Sequence, residues 1–101
     1  MVVTTRKGAR KEKLCADSLK AQGYIVWKTI RHQWCLIDLF GLFDVVALHP
    51  HGLHIRFIQV KSNKCDKETK DKIQALRMPE NCFKEIWIWH DREDWEKIIY
   101  N

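Results

Sequence analysis

The sequence predicts one α/β domain with the element order α-β-β-β-α-β-β. Three observations carry that prediction. A lysine- and alanine-rich stretch without proline opens the chain, and runs of β-branched and aromatic residues follow it. A second polar, proline-free stretch comes next, and two further apolar runs close the chain. The length of 101 residues suits a single domain, 1–101, with a modest core. A hydrophobic content of 46% with five tryptophans argues for a folded protein.

Residues 1 to 5 read as a frayed or strand-like end. Arg6 to Gln22 suits a helix, closed by Gly23 at the position where a glycine takes φ > 0. Glu12, Ala16, Leu19 and Gly23 recur at spacings of four and three, which puts Glu12 on or beside the buried face. A carboxylate there needs a cation or a paired lysine such as Lys7, Lys11 or Lys13. Tyr24 to Ile30 is a strand. Residues 31 to 43 mix apolar, aromatic and loop character around Gly41.

Phe43 to Lys61 then reads as a β-hairpin, with Val45 to Leu48 as one strand and Leu53 to Lys61 as the other. Pro50-His51-Gly52 supplies the turn. If the loop spans 50 to 53, His49 faces His54, and the antiparallel register sets Asp44 opposite Gln59. Gln59 and Lys61 share a face because strand side chains alternate. A carboxylate, an amide oxygen and an ammonium thus gather at the open end of the hairpin. Asp66 to Arg77 is a second helix, capped by Asp66 or Asn63 and ended by Pro79. Phe83 to Trp89 alternates as a strand, and Trp95 to Tyr100 is read as a last strand in preference to a helix.

An Asp at the start of one strand, followed by a residue–any–Lys triplet on the next, resembles the PD-(D/E)xK nuclease superfamily. Here the half-motifs are Phe43-Asp44 and Gln59-Val60-Lys61, a Gln-x-Lys variant of the usual acid-x-Lys. The element order over nearly the whole chain is similar too, and the small size looks most like archaeal and phage Holliday-junction resolvases. The resemblance implies a restriction-endonuclease-like core, a central mixed sheet flanked by helices. It implies a DNA endonuclease using Mg²⁺, or Mn²⁺ in its place, with Asp44, Gln59 and Glu12 as metal ligands. Lys61 would act on the attacking water and the phosphate, and Glu12 would restore the charge lost with Gln59. Asp38 is a rival carboxylate. The resemblance further implies a homodimer acting on branched DNA.

The formal charge of +5 favours a polyanionic partner. It concentrates in Arg6, Lys7, Arg10 and Lys11 before the hairpin, and in Lys64, Lys67 and Lys70 after it. These are the candidate DNA-backbone contacts. The sequence has no apolar run of membrane-spanning length and no signal pattern, so a soluble, cytoplasmic protein without a membrane partner is expected. Cys15, Cys35, Cys65 and Cys82 lack C-x-x-C spacing and are read as reduced thiols. His49, His51 and His54 cluster in the turn without a zinc signature and are read as surface residues. Two other readings stand beside the nuclease: an inactive nucleic-acid-binding module of the same fold, and a protein-interaction domain.

Overall fold

The computed structural model describes residues 2–28, 30–31, 36–37, 39–91 and 94–100. It is an α/β domain. Helix α1 spans Val2–Ala21, and strands β1 (Ile25–Lys28), β2 (Ile30–Arg31), β3 (Leu36–Ile37), β4 (Val45–Leu48) and β5 (Ile55–Ser62) follow. Helix α2 (Lys67–Ala75) then leads to β6 (Cys82–Trp89) and β7 (Trp95–Tyr100).

A five-stranded mixed sheet has the order β1-β4-β5-β6-β7. β5 and β6 run parallel, joined through α2, and every other pair in the sheet is antiparallel. The expected order of elements is therefore present, with one addition. β2 and β3 form a separate two-stranded sheet. β1 ends at Lys28, and Ile30, expected as the end of that strand, belongs to β2 instead, while the rest of the pair lies in the stretch whose character the sequence left mixed.

Each helix covers one face of the sheet. Cys15 and Leu19 of α1 pack on Val45, Ala47, Ile58, Val60 and Trp87. Ile73 of α2 packs with Phe43, Cys65, Ile86 and Ile88 on the other. The two central strands are covered on both sides, which is why β6 is buried from Lys84 to Ile88.

Helix α1 begins earlier than expected, at Val2. The β-branched opening residues cost only tenths of a kcal/mol each against a helix already propagating from the Lys/Arg/Ala stretch. Its C-terminus ends as predicted. Gly23, at φ 94°, donates to the Lys20 carbonyl, and Tyr24 donates to that of Leu19.

Helix α2 is shorter than expected and stops at Ala75, four residues before Pro79. Asp66 is its N-cap, accepting from the Thr69 amide at 2.9 Å. At the other end the buried Lys84 reaches from β6 and donates to the carbonyls of Gln74 and Leu76 at 2.9 and 2.7 Å. A cation on the last carbonyls ends the helix there, where the macrodipole is negative. Pro79 instead sits in the turn that leads into β6, its carbonyl accepting from Cys82.

No described helix is long and apolar enough to cross a membrane. Cys15, Cys65 and Cys82 carry free thiols, and Cys35 lies outside the described residues.

Candidate active site at the end of the central hairpin

The hairpin register is the one expected. Val45, Val46, Ala47 and Leu48 face Ile58, Phe57, Arg56 and Ile55. The turn closes through the Gly52 amide on the His49 carbonyl, and β5 starts at Ile55, later than Leu53.

At Asp44 the ladder slips by one residue. Its amide donates to the Ile58 carbonyl at 2.9 Å, so Asp44 and Val45 both oppose Ile58, the arrangement of a β-bulge. Asp44 therefore does not simply stand opposite Gln59. Its carboxylate turns to the backbone of β5, where Oδ2 accepts from the Val60 amide at 2.9 Å. That amide lies between Gln59 and Lys61 in the chain. The carboxylate is 5% exposed and occupies the place of the next ladder carbonyl.

Gln59 and Lys61 share a face as predicted. Ile58 and Val60 point into the α1 cluster and Phe57 into the α2 cluster, so the alternation puts both polar residues on the α2 side. Both are half-buried. Lys61 forms no hydrogen bond or ion pair with a described residue. Its charge is felt at the start of α2. Burial pushes the Cys65 thiol up while Lys61 pulls it down. The bonds from Thr69, with help from Lys61, hold Asp66 below the usual carboxylate range.

Glu12 is 3% exposed, on the buried face as its spacing implies. It lies on the inward face of α1, one turn before Cys15 and Ala16. The C-terminus of α1 is tied to Tyr24 by the helix stop, while Lys11 sits 5.1 Å over the Trp89 ring at the far end of β6. The half of α1 that carries Glu12 thus overlies the C-terminal ends of β5 and β6, the end at which Asp44 lies, with Lys61 on the opposite face of the sheet. Cys15 reports the same neighbourhood. Its thiol is pushed up to about 12, first by burial and then by the negative charges of Glu85 and Asp44.

The expected set is therefore divided. Glu12 lies under α1, and Gln59 and Lys61 lie on the α2 face, so the sheet stands between the Glu12 carboxylate and the Gln59 amide. Both offer hard oxygens that would each suit Mg²⁺ or Mn²⁺ rather than a soft metal. Among the described residues no three His, Cys, Asp or Glu side chains converge as a ready metal-holding group. Of the basic candidates, Arg10, Lys64 and Lys67 are exposed, and Lys11 and Lys70 half-buried. The side chains of Arg6 and Lys7 lie outside those described, as does Asp38. The histidines belong to the opposite end of the hairpin. His51 and His54 are exposed, and His49 packs edge-on to Tyr24 at 5.2 Å.

Sequence reasoning missed a second polar cluster, on the α1 side. Glu85 is 0% exposed and takes a bidentate pair from Arg56, at 2.6 Å from Nε and 2.7 Å from Nη2. Trp87 Nε1 donates to the same carboxylate at 2.9 Å. The guanidinium lies 5.2 Å from the Tyr24 ring and 5.6 Å from that of Trp87. A signal was present in Phe83-Lys84-Glu85-Ile86-Trp87. A strand covered on both faces must bury both charges, and each then needs a partner.

The fold defines a small α/β domain with two helices on a five-stranded mixed sheet. No family model, curated protein or solved structure matches the chain.

Proposed function

We propose that this protein is a metal-dependent DNA endonuclease with a restriction-endonuclease-like core, acting on branched DNA as a homodimer in the manner of a Holliday-junction resolvase. One observation carries the reading. The Asp44 carboxylate is bonded to the amide between Gln59 and Lys61, at the sheet end where α1 buries Glu12.

Asp44 and Glu12 would hold Mg²⁺ or Mn²⁺, which supplies charge stabilisation on the phosphate when bound. Gln59, on the α2 face with Lys61, stands across the sheet from Glu12 and does not join it in one shell. The protein's own groups do the remaining work. The Val60 amide fixes the orientation of Asp44. Lys61 offsets charge on the phosphate and orients the attacking water. Arg10, Lys11, Lys64, Lys67 and Lys70 lie along the DNA backbone, with Arg6 and Lys7 extending that contact. A domain of 101 residues has little surface for reading bases, so shape and phosphate recognition suit it.

A second reading is favoured by the same bond. Asp44 already caps the Val60 amide, and Gln59 is neutral, so the site also suits an inactive module that binds nucleic acid.

A cleavage assay separates the two. A four-way junction, a duplex and a flap are incubated with Mg²⁺ or Mn²⁺, beside Asp44→Asn and Lys61→Met proteins. The nuclease reading expects metal-dependent cutting lost in both variants. Salt-sensitive binding without cutting, and without Mn²⁺ uptake by calorimetry, establishes the inactive module instead.

A further inference from the structure

We infer that the α2 side of the molecule binds a small amphipathic anion, an acid head group on an apolar tail, at the end of the sheet away from the candidate active site. A cavity of about 370 Å³ there is lined in part by Arg77 and Lys84. That volume lies in the range of small-ligand pockets. A second, apolar space of about 250 Å³ shares Leu76, Arg77, Met78 and Cys82 with it and continues to Phe40, Phe57 and Pro79.

The polar half holds a cation that no carboxylate of the described residues complements. Lys84 is only 7% exposed, and two of its N–H groups bond the carbonyls of Gln74 and Leu76. An ammonium carries three donors, and those two carbonyls, at the negative end of α2, offset its charge only in part. No carboxylate pairs with Lys84 or with the exposed Arg77 among the described residues. Burying a charge without a counter-charge is unfavourable, and an anionic head group at this wall supplies one.

The apolar half is held open by an unusual residue. Phe40 sits at φ 57°, a left-handed backbone that bulky side chains rarely adopt, and it remains 65% exposed. Its ring stands 6.4 Å from that of Phe57, within the range of an aromatic pair, and the two rings line the apolar space together. The contact with Phe57 covers only part of the ring, and the exposed remainder offers an apolar wall to a tail. The head and tail subsites are contiguous, so one short molecule spans both. The register places Phe57 and Lys84 opposite each other, four residues along β5 from Lys61.

Calorimetric titration of the full-length protein tests this with octanoate and octyl phosphate as probes. 1-Octanol supplies the tail alone, and acetate and inorganic phosphate supply the head alone. At least one amphipathic anion is expected to bind at one site per chain, about tenfold or more tighter than every single-feature probe. Which of the two wins identifies the head group. Arg77→Gln and Phe40→Ala should each weaken it about tenfold, and both positions are exposed enough for the variants to fold. Absence of saturable binding, equal affinity for 1-octanol, or binding undiminished in both variants overturns the inference.

Discussion

The two ends of the α1-covered sheet solve the problem of buried charge in opposite ways. At one end Arg56 and Glu85 close on each other, with Trp87 and Tyr24 completing the enclosure. At the other, roughly 13 Å further along β5 at about 3.3 Å per residue, Asp44 is held by a backbone amide while Lys61 has no described ion-pair partner. The first cluster is self-sufficient. Its guanidinium is held charged well above the ordinary range by the bonds to Glu85, despite the opposing effect of burial. The second is assembled by a bulge, a device that re-aims a side chain at the cost of a ladder bond. A fold does not need that device for stability alone. The difference teaches that burial by itself does not mark function, and that the way a charge is satisfied is the better guide.

The largest expected effect lies at the self-sufficient end. Glu85→Ala leaves the Arg56 guanidinium facing a buried gap and should destabilise the protein by about 3–5 kcal/mol in urea titration. The double variant Arg56→Met, Glu85→Leu removes both charges and should recover most of that loss. If the double variant is as unstable as the single one, the pair is more than a mutual neutralisation, and the contrast between the two ends weakens.

At the bulged end, smaller losses are expected, and they should separate stability from activity. Asp44→Ala orphans the Val60 amide and should cost about 1–3 kcal/mol. Asp44→Asn keeps an acceptor for it and should cost less. Lys61→Met should change stability by no more than about 0.5 kcal/mol, because no described bond is lost. Chemical denaturation of the three variants checks this order. A large loss for Lys61→Met would assign that lysine a structural task and remove it from the candidate chemistry.

Much of this architecture was legible because local rules and the global fold agree. Pro50 and Gly52 pin the hairpin loop, and the pattern from Val45 to Val60 then admits one register, which is the register found. Gly23 as a helix stop and Asp66 as a cap were legible for the same reason, each being a local backbone requirement. The bulge was not legible. An extra residue in a ladder leaves no trace in composition, so Asp44 was expected opposite Gln59 rather than turned to Val60. Nor was the β2–β3 pair, whose two-residue strands carry no periodicity. The Arg56–Glu85 pair joins residues on different strands and depends on the parallel register through α2. That register is a property of the whole sheet. Pro79 misled because a proline marks where a helix cannot continue, whereas Lys84 decides where this one stops.

The smallest effect probes the core between the two ends. Cys15 belongs to the α1 cluster, and its thiol is pushed from about 9.0 to about 12, mainly by burial and secondarily by Glu85 and Asp44. The folded protein therefore holds that proton more tightly than the unfolded chain. The stabilising contribution is fully present below about pH 9.0 and is lost as pH rises through about 12. Within that window the slope attributable to one group is at most about 1.4 kcal/mol per pH unit. Tyrosines and lysines titrate there too, so the measure is the difference between the parent protein and Cys15→Ala. The parent should lose stability more steeply from pH 9 to 11, and the gap should narrow when Asp44→Asn is added, because one of the charges raising the thiol is then gone. The Arg56→Met, Glu85→Leu background removes one charge that raises the thiol and one that lowers it, so its effect on the gap is the balance of the two. A gap left unchanged by Asp44→Asn would mean that Asp44 has no electrostatic reach into the α1 face, and that the bulged end is isolated from the core.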